Sequence, residues 1–272
     1  MSKPPPRILS IAGSDSGGGA GIQADIKTIT MLGGYAMTAI TAITAQNSRG
    51  VQALAALEDD MVVEQIDSCL TDFGADAIKI GMLQNARIVA GVAEGLASLP
   101  EAKGLPIVLD PVMVASSGAR LLEEEAIAIM RDKLFGMATL LTPNLPELAI
   151  LTDREMTNTD KVVEAAMTLA EAHHCHVLAK GGHTDDHRVI DILVAPAGFL
   201  MQFEDARIDT PHTHGTGCTL SAAIATLIGH GQPLEHAVRL ARQFTRAAIE
   251  HAPGFVDNNG PLGHQAVRKT ES

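Results

Sequence analysis

A glycine-rich turn contains the residues of this sequence that are best suited to chemistry. Gly215, Thr216, Gly217 and Cys218 are followed by a largely apolar run over 219–225. Two glycines allow the backbone to direct its amides toward one point, and a helix that begins there adds the positive end of its dipole. The turn therefore predicts an anion site, with phosphate as the natural ligand. The same dipole should favour the thiolate of Cys218, which would place a base beside the anion.

Two nearby histidines raise a second interpretation, a cysteine hydrolase. His212 and His214 precede Cys218 on the loop side of the turn, and a thiol beside an imidazole is the nucleophile of many such enzymes. Neither histidine has an evident Asn or Asp partner that would orient its ring. The pattern therefore favours an anion site over a hydrolase.

A second glycine-rich loop lies near the N-terminus, between a predicted strand at Ile8–Ala12 and a predicted helix at Ile22–Leu32. Its segment Gly19–Ala24 matches G-x-G-x-x-A, the fingerprint of dinucleotide-binding folds. That fold requires a carboxylate about twenty residues further on. The next predicted strand, Ala36–Ala45, ends instead in Gln46-Asn47, which disfavours a nicotinamide enzyme. The pattern G-x-x-x-x-G-K-[ST] is also absent, so ATP would be held in another way.

Polar side chains follow three further aliphatic runs that predict strands: Asp110 after Pro106–Leu109, Asn144 and Glu147 after Ala138–Leu141, and Lys180 after His176–Ala179. The carboxyl ends of parallel strands share one edge of a sheet, where ligands bind. Asp110 and Glu147 fit a divalent cation, because magnesium prefers carboxylates, phosphate and water. A metal site is also conceivable in the cluster over 173–176, but adjacent side chains at a junction of helix and strand point in different directions.

The remaining pattern alternates strands and helices along the chain. Further helices are predicted over 60–73, 86–99, 123–134, 161–173, 215–228 and 234–251, with a strand over 77–81. Residues 189–203 resemble a hairpin and predict an antiparallel edge on a mostly parallel sheet. We therefore expect a doubly wound α/β sandwich forming a single domain over 1–272, with frayed termini at 1–6 and 268–272.

Composition narrows the class of function. The chain has 272 residues, 46% of them hydrophobic, which is enough for a substantial core. A net charge of −12 argues against general binding of nucleic acid or membrane surfaces. No apolar run approaches the length of a membrane span, and no signal peptide is recognisable. The three cysteines are widely spaced and predict no disulfide framework, so a cytoplasmic protein acting on small molecules is expected.

Seven blocks of the sequence, in order, resemble the hydroxymethylpyrimidine/phosphomethylpyrimidine kinases of thiamin biosynthesis. They are Ala12–Asp25, Gln46-Asn47, Lys79–Met82, Asp110–Met113, Thr142–Glu147, Lys180–His183 and His214–Thr219. The resemblance implies a ribokinase-like three-layer αβα sandwich. It also implies ATP-dependent phosphorylation of the hydroxymethyl group and then of the resulting monophosphate, giving the pyrophosphate. Members of the family are commonly homodimers, so the resemblance implies a homodimer for this chain as well.

The resemblance also implies a role for each candidate residue. The pyrimidine would be bound by Gly13, Asp25, Gln46, Met82 and Val112. The anion hole would be formed by Gly215, Thr216 and Gly217, with Cys218 as the base. Asn144 and Lys180 would bind ATP, and Asp110 and Glu147 would bind Mg²⁺. Two alternatives stay open at this point. One is a kinase of pyridoxal, or of both pyridoxal and hydroxymethylpyrimidine, and the other is a non-catalytic sensor of the pyrimidine.

Overall fold

The computed structural model describes residues 4–113, 122–182 and 187–267. The strands are β1 (Arg7–Asp15), β2 (Tyr35–Asn47), β3 (Gly50–Ala56), β4 (Ala77–Ile80), β5 (Ile107–Leu109), β6 (Leu140–Leu141), β7 (His176–Ala179), β8 (Arg188–Ala195) and β9 (Gly198–Ala206). The α-helices are α1 (Gly21–Met31), α2 (Asp59–Asp72), α3 (Ala86–Ser98), α4 (Glu124–Lys133), α5 (Leu145–Thr152), α6 (Thr159–His173), α7 (Thr216–Gly229) and α8 (Leu234–Glu250). None of these helices is both long and apolar enough to cross a bilayer.

One sheet contains all of these strands, in the order β3-β2-β1-β4-β5-β6-β7-β8-β9. The six strands from β2 to β7 in that order are parallel. The strands β3, β8 and β9 pair antiparallel at the two edges. From β1 the chain proceeds toward one edge and from β4 toward the other, so the strand order reverses between them. A crevice at the carboxyl ends of the strands is expected at such a switch point.

Helices cover both faces of the sheet, because the side chains of its central strands alternate between two apolar layers. In β4, Ile78 packs with Ile66 and with other residues of α2 to α6. Its neighbour Ala77 belongs to the opposite layer, with Ala223 and other residues of α1, α7 and α8. Two helical layers around one sheet give the three-layer αβα sandwich.

The predicted architecture is confirmed, including the antiparallel edge formed by β8 and β9. The opposite edge also carries an antiparallel strand, β3, which the sequence pattern does not predict. Residues Gly50–Ala56 are mostly exposed and rich in alanine, so they lack the alternation of a half-buried strand. Their pairing with β2 fixes the strand instead.

The predicted fraying of residues 1–6 is wrong at Pro6. This proline is buried, and its carbonyl oxygen accepts a hydrogen bond of 2.8 Å from the amide of Tyr35. The first strand is therefore anchored from its start. His183, at the end of the block Lys180–His183, and the terminal residues 1–3 and 268–272 lie outside the described residues.

Candidate active site

The turn over 215–218 forms the N-terminus of α7. Gly215 precedes the helix with φ of 87°, a left-handed conformation that glycine adopts without strain. A side chain at this position would also overlap the carbonyl oxygen of Gly19, so the turn packs directly on the N-terminal glycine loop. Among the described residues no side chain caps α7. The first-turn amides of Gly217 and Cys218 are therefore available to an anion.

Other contacts hold the turn in place. The Oγ1 of Thr216 donates to the carbonyl of Thr213 at 2.7 Å, so this side chain closes the turn. The C-terminal segment adds two contacts. The amide of His214 donates to Gly260 at 3.2 Å, and Nε2 of His264 lies 2.8 Å from Oγ1 of Thr219.

Cys218 lies beside a buried charged pair and contacts the amide of Gly21. The expectation that the helix dipole lowers its pKa is wrong for this structure. Burial raises the pKa of the thiol to about 11, and the nearby carboxylates of Asp25 and Asp110 add to the rise, although Lys79 opposes it. The side chain is therefore a thiol in the free protein at neutral pH.

Asp25 and Lys79 form the buried pair beneath the turn. The Nζ of Lys79 lies 2.8 Å from Oδ2 of Asp25, and both side chains are fully buried. The same oxygen accepts a hydrogen bond of 2.6 Å from Ser10, whereas Oδ1 has no partner among the described residues. Burial alone would lower the pKa of Lys79, but the charge of Asp25 raises it. Asp25 therefore offers one unused acceptor, which a bound amine could satisfy.

Asp110 and Lys180 form a second pair at the ends of β5 and β7. The Nζ of Lys180 lies 2.6 Å from Oδ1 of Asp110, which also accepts from Thr142 at 3.0 Å. A Cβ built on Gly217 would lie 3.2 Å from that Nζ and 3.3 Å from Oδ2 of Asp110. The structure thus brings these two residues directly to the first turn of α7, as their positions after strands predict.

Asn144 and Glu147 form a capping box at the start of α5. The side chain of Asn144 accepts from the amide of Glu147, and the carboxylate of Glu147 accepts from the amide of Asn144, both at 2.8 Å. The backbone of Asn144 also forms an isolated parallel β-bridge with Lys180, the residue that follows β7. Burial raises the pKa of Glu147 to about 7, and Asp110 adds to the rise, while Lys180 opposes it.

The expected magnesium ligands fit the ion unequally. The described residues contain no group of three or more His, Cys, Asp or Glu side chains that could hold a metal. Magnesium nevertheless needs only one or two carboxylates, with water and phosphate completing its shell. Asp110 directs Oδ2 toward Gly217, whereas Glu147 also accepts from the amide of Met113 at 3.4 Å. Asp110 is therefore suited to direct contact and Glu147 to contact through water.

The expected pyrimidine-binding residues lie at the ends of neighbouring strands. Gly13 and Met82 touch, since a side chain at Gly13 would overlap the methyl group of Met82. Val112 follows Asp110, and its amide donates to the Asp110 carbonyl at 2.8 Å. Gln46, at the end of β2, lies close to the turn, with Nε2 3.3 Å from Nε2 of His214. These four residues lie at the carboxyl ends of β2, β1, β4 and β5, whereas the fifth, Asp25, lies on α1.

Sequence reasoning missed the partner of His214. Its Nε2 lies 2.9 Å from Oδ2 of Asp15, which belongs to the N-terminal glycine loop. The statement that no Asp orients either histidine is therefore wrong, because 199 residues of sequence separate this pair. Lys79 is the other missed residue. It stands in the block Lys79–Met82 that carries the resemblance, and a lysine within the apolar strand Ala77–Ile80 is a further signal, but the sequence assigned it no role.

Comparison with known proteins places this geometry in a family. Residues 15–263 match the family model described as phosphomethylpyrimidine kinase. The chain belongs to this family. It is 40% identical over 266 residues to a hydroxymethylpyrimidine/phosphomethylpyrimidine kinase of Haemophilus influenzae, covering 97% of this chain and 98% of that one. It is 42% identical over 257 residues to a thiamine biosynthesis bifunctional protein of Geobacter sulfurreducens, covering 94% of this chain but 52% of that protein, about half its length.

Solved structures of related kinases share the fold. A phosphomethylpyrimidine kinase of Clostridium difficile matches with a TM-score of 0.78 at 37% identity, covering 89% of this chain and 99% of that one. A pyridoxal kinase of Bacillus subtilis in complex with ADP matches with a TM-score of 0.87 at 34% identity, covering 97% of this chain and 99% of that one. The ribokinase-like fold and the enzyme class, a phosphotransferase of this family, are therefore established for the chain.

Proposed function

We propose that the protein is an ATP-dependent kinase of 4-amino-5-hydroxymethyl-2-methylpyrimidine that then phosphorylates the monophosphate to the pyrophosphate. The observation that carries this proposal is the turn over 215–218. Its uncapped amides lie beside the pair of Asp110 and Lys180, and candidate pyrimidine residues lie at the same edge of the sheet. An anion site next to a small mixed pocket suits transfer of a phosphoryl group to a planar alcohol.

The proposed mechanism uses few residues. The substrate oxygen attacks the terminal phosphorus of ATP, the bond to the ADP oxygen breaks, and the hydroxyl proton passes to the thiolate form of Cys218, which is the minor form in the free protein at neutral pH. The amides of Gly217 and Cys218 stabilise the charge on the transferring oxygens. Lys180 contributes positive charge on the nucleotide side, next to Asn144. Magnesium, when bound near Asp110 and Glu147, would offset negative charge on the phosphates.

A coupled assay of ATP consumption tests the function. Hydroxymethylpyrimidine, its monophosphate and pyridoxal should be compared at equal concentrations. We expect turnover of the first two with greater efficiency than turnover of pyridoxal. Preference for pyridoxal would identify the rival kinase activity, which is supported by solved pyridoxal kinases of the same fold. Binding of the pyrimidine without turnover would identify a sensor.

Replacing Gln46 by methionine should lower kcat/KM for hydroxymethylpyrimidine more than kcat/KM for pyridoxal. A buried amine or ring nitrogen that loses its hydrogen-bond partner costs about 1–3 kcal/mol, which predicts roughly a tenfold or larger fall in kcat/KM for the pyrimidine. The measurement is kcat/KM of both substrates for both proteins. An equal fall for the two would mean that Gln46 supports the fold and does not select the substrate.

Separate alanine variants of Asp110 and Glu147 should remain folded but require more Mg²⁺ for half-maximal turnover. The increase should be larger for Asp110→Ala, because its Oδ2 faces the anion turn whereas both oxygens of Glu147 already accept backbone hydrogen bonds. Titration of Mg²⁺ at fixed ATP measures the effect, with circular dichroism as the control for folding. Unchanged magnesium dependence in both variants would contradict the assignment.

We further infer a single kinase domain, acting as a homodimer in the cytoplasm. The family resemblance supports the dimer. Cys69, Cys175 and Cys218 are free thiols, which suits a reducing compartment. Light scattering of the purified protein would measure the oligomeric state.

A further inference from the structure

The carboxylate of Asp15 joins two loops of the candidate site. Its Oδ1 accepts a hydrogen bond of 2.8 Å from the amide of Gly17, and its Oδ2 accepts from Gly19 at 3.0 Å and Ala20 at 2.8 Å. The same Oδ2 lies 2.9 Å from Nε2 of His214 in the other glycine turn. A side chain on Gly19 would overlap the His214 ring. The two loops are therefore packed together around one buried carboxylate.

This environment determines which nitrogen of His214 carries a proton. Burial disfavours the charge of Asp15, but its hydrogen bonds with His214 and with backbone amides outweigh burial and lower its pKa. An ionised carboxylate only accepts hydrogen bonds. The Nε2 of His214 must therefore carry a hydrogen and donate it to Asp15.

The proton on His214 in turn determines the orientation of the Gln46 amide. With Nε2 of Gln46 at 3.3 Å from Nε2 of His214, two donors would face each other. On its other side, Oε1 of Gln46 lies 3.3 Å from Oγ1 of Thr44. That hydroxyl already donates to the carbonyl of Ser14 at 2.9 Å, so it could offer Gln46 only a share of the same hydrogen.

Rotation of the amide by 180° removes both conflicts, because its oxygen and nitrogen are nearly equal in shape. The oxygen then shares the single Nε2–H of His214 with Asp15 in a bifurcated hydrogen bond, with the longer distance of 3.3 Å to Gln46, and the nitrogen donates one hydrogen to Thr44. The second N–H of Gln46 is left to donate elsewhere. Since Gln46 lies at the end of β2 with other candidate pyrimidine residues, that donor suits an acceptor nitrogen of an aromatic ring.

We propose that Asp15 and His214 are positioning residues that fix the Gln46 amide with one N–H directed to a ring nitrogen of the substrate. The substrate assignment rests on the proposed function, whereas the hydrogen-bond arrangement does not. The pair thereby links the anion turn, which receives the phosphate, to the residue that selects the ring. Rejection of the hydrolase interpretation leaves His214 without an assigned function, and this proposal gives it one.

Nuclear magnetic resonance tests the arrangement in the intact protein without any turnover. Long-range ¹H–¹⁵N correlation should show His214 protonated at Nε2, with assignment by its loss in His214→Gln. Nuclear Overhauser effects should join the side-chain N–H₂ of Gln46 to Thr44. An unprotonated Nε2, or contacts of that N–H₂ with the His214 ring, would overturn the proposal whatever reaction the protein catalyses.

Kinetics test the consequence for the substrate. His214→Phe keeps a ring but removes the donor, and we expect KM for hydroxymethylpyrimidine to rise about tenfold, with a smaller change in kcat. His214→Gln retains an N–H donor and should restore most of the affinity. His236→Phe, at an exposed histidine of α8, is the matched control and should change neither parameter.

A double-mutant cycle separates positioning from general support of the loop. Gln46→Met combined with His214→Phe should bind hydroxymethylpyrimidine no more weakly than Gln46→Met alone, because His214 acts through the amide that is already lost. Losses that multiply would overturn the proposal. If the unsubstituted protein fails to phosphorylate the pyrimidine, the proposed function fails, and the resonance experiments still decide the arrangement.

Discussion

Cys218→Ala should slow phosphorylation of hydroxymethylpyrimidine by about 10²-fold to 10⁴-fold, the usual scale of general-base assistance. The second reaction should slow much less, because a phosphate monoester already presents anionic oxygens at pH 7 whereas an alcohol must lose a proton. Single-turnover rates for the two acceptors measure the difference. A general base at Cys218 would thus be recognised because its loss slows phosphorylation of the alcohol much more than phosphorylation of the monophosphate.

The raised pKa of Cys218 adds a pH dependence with a defined sign. Because the thiol of the free protein has a pKa of about 11, its thiolate fraction should increase about tenfold for each unit between pH 7 and pH 9. If the thiolate is the base, kcat/KM for the alcohol should rise over this range and the rise should be absent in Cys218→Ala. The monophosphate should show no such difference between the two proteins.

Gly217→Val is the matched comparison, and it should damage both reactions. A Cβ added at this position would lie close to Lys180 and Asp110. A branched side chain would therefore displace that pair and restrict the amides of the turn. Equal slowing of both steps by Cys218→Ala would contradict the base assignment, as would unchanged rates in a folded variant. Cys218 would then shape the anion hole.

Lys79→Met should lower the free energy of unfolding by about 3–5 kcal/mol, since it leaves the buried charge of Asp25 without its partner. Both side chains of this pair are fully buried, so water cannot replace the lysine. Urea denaturation followed by circular dichroism measures the change. Lys161→Met, at an exposed pair with Glu164, is the control and should change stability little.

The double variant Asp25→Leu with Lys79→Met should recover most of that stability, because well-packed apolar residues can replace a buried ion pair at little cost. It should not recover phosphorylation, since Asp25 is also a proposed substrate residue. A stable Lys79→Met variant would contradict the account of the pair. Recovery of both stability and activity in the double variant would show that Asp25 has no part in binding.

The sequence by itself determined the fold class and the position of the candidate site. Alternation of apolar strands with amphipathic helices specifies layers, and strand ends specify an edge, so Asp110 and Lys180 could be predicted to meet. The glycines at 215 and 217 predicted an anion turn, and in the structure Gly215 has a left-handed backbone whereas Gly217 is helical and leaves space beside Lys180 and Asp110. These inferences depend on local pattern and on the rules of parallel sheets.

Only the tertiary structure decided the electrostatics of the site. Position at a helix N-terminus predicts a lowered pKa for Cys218, but burial, which the local sequence does not reveal, raises it. The partner of His214 is Asp15, far away in sequence, and the partner of Lys79 is Asp25 on helix α1. Charges act through space and are weakened by water, so their effects follow from distances and burial that exist only once the chain has folded.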